Sequence, residues 1–221
     1  PFLTEFSFTF IMALFNRFLR TYGGDLAISA MGIFFSLDSL LFLPVLGLAE
    51  GVQPLIGYNY GAKDYGRVIA AVRSAILMGL AFFAGSFLLI MSVPEPLIRI
   101  FNDTDPELLA LSVRGIRIGY SGVMFASVSI IASHTFQAIG KPKKGLFLTL
   151  SRHFLFILPP LYFLPPLLGT DGVWMALPLS DLGGGLLGAW FLKREFAVMR
   201  RNQRIDGMLP LPECTPPPDS V

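Results

Sequence analysis

The chain has 221 residues, of which 53% are hydrophobic and 14% are charged, and its formal net charge is +2. Together with a mean hydropathy of +0.64, this excludes an ordinary water-soluble globule, whose surface needs about a quarter of its residues charged. The 21 phenylalanines exclude intrinsic disorder, the single cysteine excludes a disulfide scaffold, and two histidines with one cysteine argue against a structural zinc site.

Six apolar stretches follow one another, and each is long enough to cross a bilayer, which takes roughly 20 mostly apolar residues. Turn-forming or charged residues separate them, beginning with Gly23-Gly24-Asp25. The sequence therefore predicts an all-α integral membrane protein with one six-helix lobe over residues 1–208 and a disordered, proline-rich tail over residues 209–221. The predicted helices cover about residues 2–22, 26–56, 68–93, 106–138, 145–168 and 172–192.

Basic residues cluster at alternate ends of these helices. They lie between the second and third helices, between the fourth and fifth, and after the sixth: Lys63, Arg67, Lys141, Lys143, Lys144, Lys193, Arg194, Arg200, Arg201 and Arg204. Short cytoplasmic loops carry such an excess, so both ends of the chain are predicted to be cytoplasmic, in a multi-pass protein of the inner (plasma) membrane. Arg17 and Arg20 are the main exceptions. A basic stretch beside a membrane helix indicates orientation rather than nucleic-acid binding, and no nucleic-acid partner is expected.

The first residue is Pro1, and apolar sequence follows it at once. An initiator methionine, a polar lead-in and the charged region of a signal peptide are all missing from this start. We therefore expect that further residues precede Pro1 in the protein.

One run in the second predicted helix is distinctive. It reads GLAEGVQPLIGYNYGAK over residues 47–63. This run resembles the signature of the MATE (multidrug and toxin extrusion) transporters, and the matching positions are Gly51, Gln53, Pro54, Gly57, Asn59, Gly61 and Ala62. Shorter matches lie at residues 22–25, 136–141 and 172–176, with Pro178 and Asp181 following in the sixth helix.

The resemblance implies a fold and a function. MATE transporters have twelve helices in two six-helix lobes, and the order of motifs here is similar to the second lobe. This implies a secondary antiporter that exports small organic, often cationic, compounds in exchange for Na⁺ or H⁺, without any other cofactor. It implies two further partners, namely the lipid bilayer and an N-terminal six-helix lobe that is missing from this sequence.

Glu5 and Asp38 are the candidate residues for cation coupling or substrate binding, because an ionisable side chain inside a bilayer is costly. Some MATE members couple through a glutamate in the first helix of the second lobe, and Glu5 resembles it in placement, whereas other members carry glutamine there. The alternative for Glu5 is a carboxylate near the cytoplasmic interface.

Asp38 stands in mid-helix among apolar residues. It could bind Na⁺ with oxygen neighbours such as Ser36 or Ser39, or it could carry a proton. The alternative is a neutralising pair with Arg17 or another buried base.

Other polar residues in the helices keep alternatives open. Asp181 is at least as consistent with structural hydrogen bonding as with transport, and a satisfied interhelical contact is the favoured interpretation of His134. Arg17, Arg114 and Arg117 keep open a lipid or polysaccharide flippase of the same superfamily, which would need a basic lumen for phosphate groups. The abrupt start of the chain keeps open a non-transporting half-protein.

Catalytic motifs are not found. The sequence contains neither a Ser-His-Asp order with suitable loops, nor a phosphate-binding glycine loop, nor an HExxH pair, and no metal-ligand cluster stands out. We therefore predict that the protein is not an enzyme.

Overall fold

The computed structural model describes residues 2–101 and 105–206, and all regular structure in these ranges is helical. The predicted disordered tail over residues 209–221 lies outside these ranges. The elements are α1 (Phe2–Gly61), α2 (Tyr65–Ser92), α3 (Pro94–Arg99), α4 (Pro106–Gly119), a 3₁₀ turn (Tyr120–Gly122), α5 (Val123–Ala138), α6 (Pro142–Leu150), a π-helical segment (Ser151–Ile157), α7 (Leu158–Phe163), α8 (Pro165–Leu168) and α9 (Thr170–Asp206).

The 60-residue element α1 is a hairpin. Gly24 has φ 68° and ψ −164°, a conformation that interrupts the helix and that only glycine adopts without strain. Phe15 precedes this residue in the sequence and Phe35 follows it, yet the centroids of their rings are only 6.4 Å apart. In a continuous helix they would be about 30 Å apart. The chain therefore reverses at Gly24, and we call residues 2–23 the first arm and residues 25–61 the second arm.

The predicted fold class is confirmed. Within residues 2–101 and 105–206, five helical segments are long and apolar enough to cross a membrane. Because the first consists of two arms, these residues form six crossings. Many large apolar side chains lie exposed on the outside of the bundle, as expected for a lipid-facing surface. Examples are Leu43, Leu77, Leu88 and Leu186.

Several helix boundaries differ from those expected. The second helix runs through Pro54 to Gly61, and the predicted helix over residues 106–138 is divided by the 3₁₀ turn. The predicted helix over residues 145–168 begins at Pro142 and changes to π geometry at Ser151. The last helix continues to Asp206, because its basic residues extend the helix beyond the apolar segment.

The two ends of the lobe differ in composition. At one end the turn after α5 meets the end of α9, where Lys144 Nζ donates to Glu195 Oε2 at 3.0 Å and Lys141 contacts the other oxygen. We call this the Lys141 end. At the opposite end, Gly23 packs against the Thr170 side chain, and Asp171 forms an ion pair with Arg114. We call this the Gly24 end.

Small residues allow the helices to approach closely around α5 and α9. A Cβ atom on Gly122 would lie 2.5 Å from Pro178 Cα, and one on Gly185 would lie 2.6 Å from the Phe125 carbonyl oxygen. Real side chains do not tolerate such distances, so these positions require glycine. Such contacts are typical of helix packing in membranes.

Candidate functional site

A cavity of about 160 Å³ lies inside the lobe. The two arms of α1, the junction of α4 with α5, the π-helical segment and α9 all contribute to its wall. We call it the central cavity. Its lining is mainly aromatic and aliphatic, with the polar side chains of Asp38, Tyr120, Arg152, His153 and Asp181.

Arg152 and Asp181 form an ion pair in this wall. The guanidinium Nη2 donates to Asp181 Oδ1 at 2.5 Å, and the two side chains are 23% and 7% exposed. Such low exposure means that each charge depends on the other, since an unpaired charge in a low-dielectric interior is strongly unfavourable. Arg152 Nε is buried and has no hydrogen-bond partner among the described residues.

The π-helical segment positions Arg152 and His153. Its wider turn runs over Ser151–Ile157, directly before Pro159 and Pro160, which cannot donate hydrogen bonds to the preceding turn. π-helical geometry is rare and occurs frequently at functional sites. Here it places two neighbouring polar residues in the same cavity.

Asp38 reaches the cavity from the second arm. It lies 14 residues after Gly24, about 21 Å along the helix axis, which corresponds to the middle of a bilayer. Its carboxylate is half-buried and makes neither a hydrogen bond nor an ion pair with any residue in the described ranges. The cavity wall thus carries two carboxylates and one guanidinium, so that one carboxylate has no cationic partner among the described residues when both are ionised.

The three residues named as partners of Asp38 lie elsewhere, whereas another buried base, Arg152, lines the same cavity and pairs with Asp181. Arg17 lines a different cavity, so it does not neutralise Asp38. Ser36 donates instead to the Gly32 carbonyl at 2.9 Å, and neither Ser36 nor Ser39 lines the central cavity.

A hydrogen bond joins His153 to the first arm. Ser7 Oγ donates to the Thr4 carbonyl at 2.7 Å and lies 2.7 Å from His153 Nδ1. Because the serine has a single proton, Nδ1 of the histidine donates to Ser7 when the serine donates to Thr4, and Nε2 is then an acceptor. The contact fixes the orientation of the imidazole.

Glu5 lies apart from this site. It is exposed in the first turns of the first arm and does not line the central cavity, to which Phe8 is the nearest contributor along the chain. The structure therefore brings Asp38 together with Asp181, but it does not bring Glu5 to either of them. A coupling role for Glu5 remains a prediction.

The signature residues build the turn between the second arm and α2. Asn59 is buried, its Nδ2 donates to the Leu55 carbonyl at 2.8 Å, and its own carbonyl accepts from the Asp64 amide at 2.9 Å. Asp64 in turn caps α2 by accepting from the Arg67 amide at 3.1 Å. None of the seven signature positions lines the central cavity; they are Gly51, Gln53, Pro54, Gly57, Asn59, Gly61 and Ala62.

The remaining polar candidates have local partners or face outward. Arg114 pairs with Asp171 at the Gly24 end. His134 Nδ1 lies 2.9 Å from the Ile130 carbonyl oxygen of its own helix, so the expected interhelical contact is instead intrahelical. Arg117 is exposed.

Sequence reasoning missed Arg152 and His153. Both are polar residues within the apolar segment that was predicted to span residues 145–168. An ionisable residue inside such a segment is itself a signal of function, and this signal could have identified them. The sequence did not indicate that Asp181 would pair with Arg152 or that Ser7 would contact His153.

Comparison with known proteins agrees with this architecture. The family model MatE matches residues 2–163 of the chain. The chain belongs to the MATE family. Its multi-pass membrane architecture is therefore that of a MATE protein.

Two curated relatives are staphylococcal. The chain is 26% identical to the multidrug export protein MepA of Staphylococcus haemolyticus over 166 residues, which is 75% of the chain and 36% of MepA. It is 24% identical to MepA of Staphylococcus aureus over 180 residues, 81% of the chain and 39% of MepA. The chain therefore spans less than half the length of the curated relatives that it matches.

Solved MATE structures show the same fold. A MATE protein in the bent conformation superposes with a TM-score of 0.86 at 19% identity, over 91% of the chain and 45% of the solved protein. An outward-facing multidrug resistance MATE transporter superposes with a TM-score of 0.84, also at 19% identity, over 90% of the chain and 44% of that transporter. An inward-facing multidrug resistance MATE transporter superposes with a TM-score of 0.82 at 18% identity, over 90% of the chain and 46% of that transporter.

Proposed function

We propose that this chain forms one lobe of a secondary antiporter that exports small organic, often cationic, compounds in exchange for Na⁺ or H⁺. Its relatives are multidrug export proteins. The observation that carries the proposal is the unpaired Asp38 carboxylate in an aromatic cavity at mid-membrane depth. We propose further that the lobe lies in the plasma membrane with the Lys141 end in the cytoplasm, since most of the basic residues flank that end.

The charge balance of the cavity determines what Asp38 can do. Arg152 already neutralises Asp181, so the wall can accept one additional positive charge, not two. A proton, a sodium ion or an organic cation can each supply that charge. Aromatic faces around the carboxylate favour an organic cation further.

Exchange follows from competition for this single charge. When an inorganic cation occupies Asp38, an organic cation gains less from the cavity, and the reverse also holds, because coupling between ligands is reciprocal. Export follows when the transporter changes orientation with one cation bound at a time, so that the inorganic cation, moving inward down its gradient, drives the organic cation outward. A second lobe would complete such a transporter, in keeping with the fraction of its relatives that the chain spans.

The flippase alternative receives no support from the central cavity. A phosphate group there would face two carboxylates and a guanidinium that is already paired. Like charges in a low-dielectric site repel strongly.

Dye efflux tests the proposal. The complete reading frame is expressed in an efflux-deficient bacterium, and export of a cationic dye is measured with and without Na⁺ and across a range of external pH. Asp38→Asn should reduce efflux at least tenfold at equal expression. Glu5→Gln is tested separately and shows whether Glu5 contributes to coupling.

Binding of tetraphenylphosphonium to the purified protein supplies a second measurement. The Asp38→Asn variant should lose affinity for this cation, and the unaltered protein should bind it more weakly as Na⁺ or H⁺ is raised. Unchanged efflux and unchanged binding in Asp38→Asn would show that the carboxylate is structural.

A further inference from the structure

A second cavity, of about 470 Å³, lies between the first arm of α1 and the segment that contains α7 and α8. Its volume is within the range of about 300–1,000 Å³ that ligand sites occupy. We call it the outer cavity. Its lining residues are Leu14, Arg17, Phe18, Thr21, Tyr22, Leu158, Leu161, Tyr162 and Pro166.

The outer cavity combines one charge with apolar walls. Among the described residues that line it, Arg17 is the only one with a charged side chain. Its guanidinium forms neither a hydrogen bond nor an ion pair with any residue in the ranges that the structure covers. The guanidinium donors are therefore available to a ligand, and the hydrogen bond that Thr21 Oγ1 donates at 3.0 Å goes to the Arg17 backbone carbonyl.

Aromatic rings line the wall beside this charge. The Phe18 ring stacks on Tyr22 at 6.4 Å between centroids and meets Tyr162 edge-on at 6.3 Å. Tyr162 is 68% exposed and the nearby Leu167 is 81% exposed. The cavity is therefore open sideways, toward the apolar surface of the bundle.

The depth of Arg17 allows its side chain to reach the headgroup region. It lies seven residues before Gly24, or about 10 Å along the helix axis. On the scale that places Asp38 in the middle of the bilayer, its backbone is just inside the hydrocarbon, and a long arginine side chain can extend from there toward the interface. The opposite wall likewise ends close to a turn, at Gly169. Tyrosines are common at this depth because their rings suit the membrane–water boundary.

Arg17 also departs from the charge pattern of the chain. It is placed near the Gly24 end, whereas most of the basic residues flank the Lys141 end. The positive-inside rule accounts neither for Arg17 nor for Arg20 at this end. Arg17 differs from Arg20 in that it lines the outer cavity.

We propose that the outer cavity binds an anionic phospholipid of the adjacent leaflet. The Arg17 guanidinium holds the phosphate through charge-assisted hydrogen bonds, and an acyl chain lies against Phe18, Leu158 and Leu161. The site shares no lining residue with the central cavity, so it stands independently of the transport proposal.

Native mass spectrometry of the purified full chain tests this site. The protein is released from nanodiscs that contain equal amounts of phosphatidylglycerol and phosphatidylcholine with identical acyl chains. The unaltered protein should retain phosphatidylglycerol about tenfold more often, the ratio expected for one charge-assisted contact. Arg17→Gln should abolish that preference, and Arg17→Lys should restore most of it.

Arg20→Gln is the matched control. Arg20 is an exposed arginine one turn further along the same helix, and it does not line the outer cavity. This variant should keep the preference for phosphatidylglycerol. Because both arginines are exposed, neither substitution disturbs the packed core.

Four results would overturn the proposal. Arg17→Gln could retain the lipid preference, or Arg20→Gln could lose as much of it, which would indicate general surface charge. Inorganic phosphate at millimolar concentration could displace the lipid, which would indicate a site for the free anion. A dimer that excludes lipid would indicate that a second copy of the chain covers the cavity.

Discussion

Replacing Asp181 by asparagine removes the only ion-pair partner that Arg152 has in the described structure, while Asp38 remains in the same cavity. Breaking a buried ion pair by removing one partner costs about 3–5 kcal/mol when no substitute is available. Here a second carboxylate, that of Asp38, lines the same cavity, and we expect it to replace Asp181 as the partner of Arg152. We therefore expect Asp181→Asn to lower the free energy of unfolding by only about 1–3 kcal/mol.

Two other variants complete a double-mutant cycle, and we expect them to differ in stability. Asp38→Asn alone should cost less than about 1 kcal/mol, because the Asp38 carboxylate makes no hydrogen bond or ion pair within the described ranges that the substitution would break. The double variant Asp38→Asn with Asp181→Asn should cost about 3–5 kcal/mol, because it leaves the Arg152 guanidinium without a counter-charge in the cavity. At the midpoints of these ranges, the loss in the double variant exceeds the sum of the single losses by about 1.5 kcal/mol.

The assay is reversible unfolding of the purified chain in mixed detergent micelles, followed by tryptophan fluorescence and circular dichroism. Glu5→Gln, which alters an exposed carboxylate outside the cavity, serves as the control. Its effect on the free energy of unfolding and that of Asp181→Asn should be additive within about 0.5 kcal/mol. If the effects of Asp38→Asn and Asp181→Asn on the free energy of unfolding are just as additive, the idea that either carboxylate can pair with Arg152 is refuted.

Three further predictions concern packing and the ends of the helices, and the same unfolding assay measures them. Gly122→Ala should lower the free energy of unfolding by about 1–3 kcal/mol, because its Cβ would overlap α9. Gly85→Ala, which has open space around it, should leave the stability unchanged or raise it slightly, and equal effects of the two substitutions would contradict the close approach at Gly122. Glu195→Gln should cost about 1–3 kcal/mol because its buried carboxylate pairs with two lysines, and Arg67→Gln, which alters an exposed pair, should cost less than about 1 kcal/mol. Asp64→Ala should cost about 1 kcal/mol through loss of the α2 cap, and an unchanged stability would show that the cap is dispensable.

The membrane class and the number of crossings could be predicted because hydropathy acts over whole segments of about 20 residues. The reversal after the first helix was also predictable, since Gly23-Gly24-Asp25 is a sequence that favours a turn. The boundaries were less predictable. Basic residues at the end of α9 and prolines inside α1 are compatible with helix when packing supports it, and a local pattern does not report that packing.

The candidate site was predictable only in part. Asp38 could be recognised from its apolar neighbours alone, because the cost of burying a carboxylate depends on local composition. The pairing of Asp181 with Arg152 could not be derived, because it depends on the side-by-side packing of α9 and the π-helical segment. Glu5 resembles a coupling glutamate of the family in its placement along the helix, yet it does not line the central cavity. Placement along a helix therefore does not determine which cavity a side chain reaches.

The arginines show why charges in a membrane protein must be counted with their partners. Arg17, Arg114 and Arg117 together suggested a basic lumen, yet the structure separates them. Arg114 is neutralised by Asp171 at the Gly24 end, and Arg17 lines the outer cavity at the edge of the bundle. Arg152, the only arginine among the described residues that line the central cavity, is already paired, so an ionised Asp38 would leave an excess of negative charge there. Such an interior favours a cation as its ligand, whereas Arg17, which has no partner among the described residues, favours an anion in the outer cavity. We therefore propose different ligands for the two cavities.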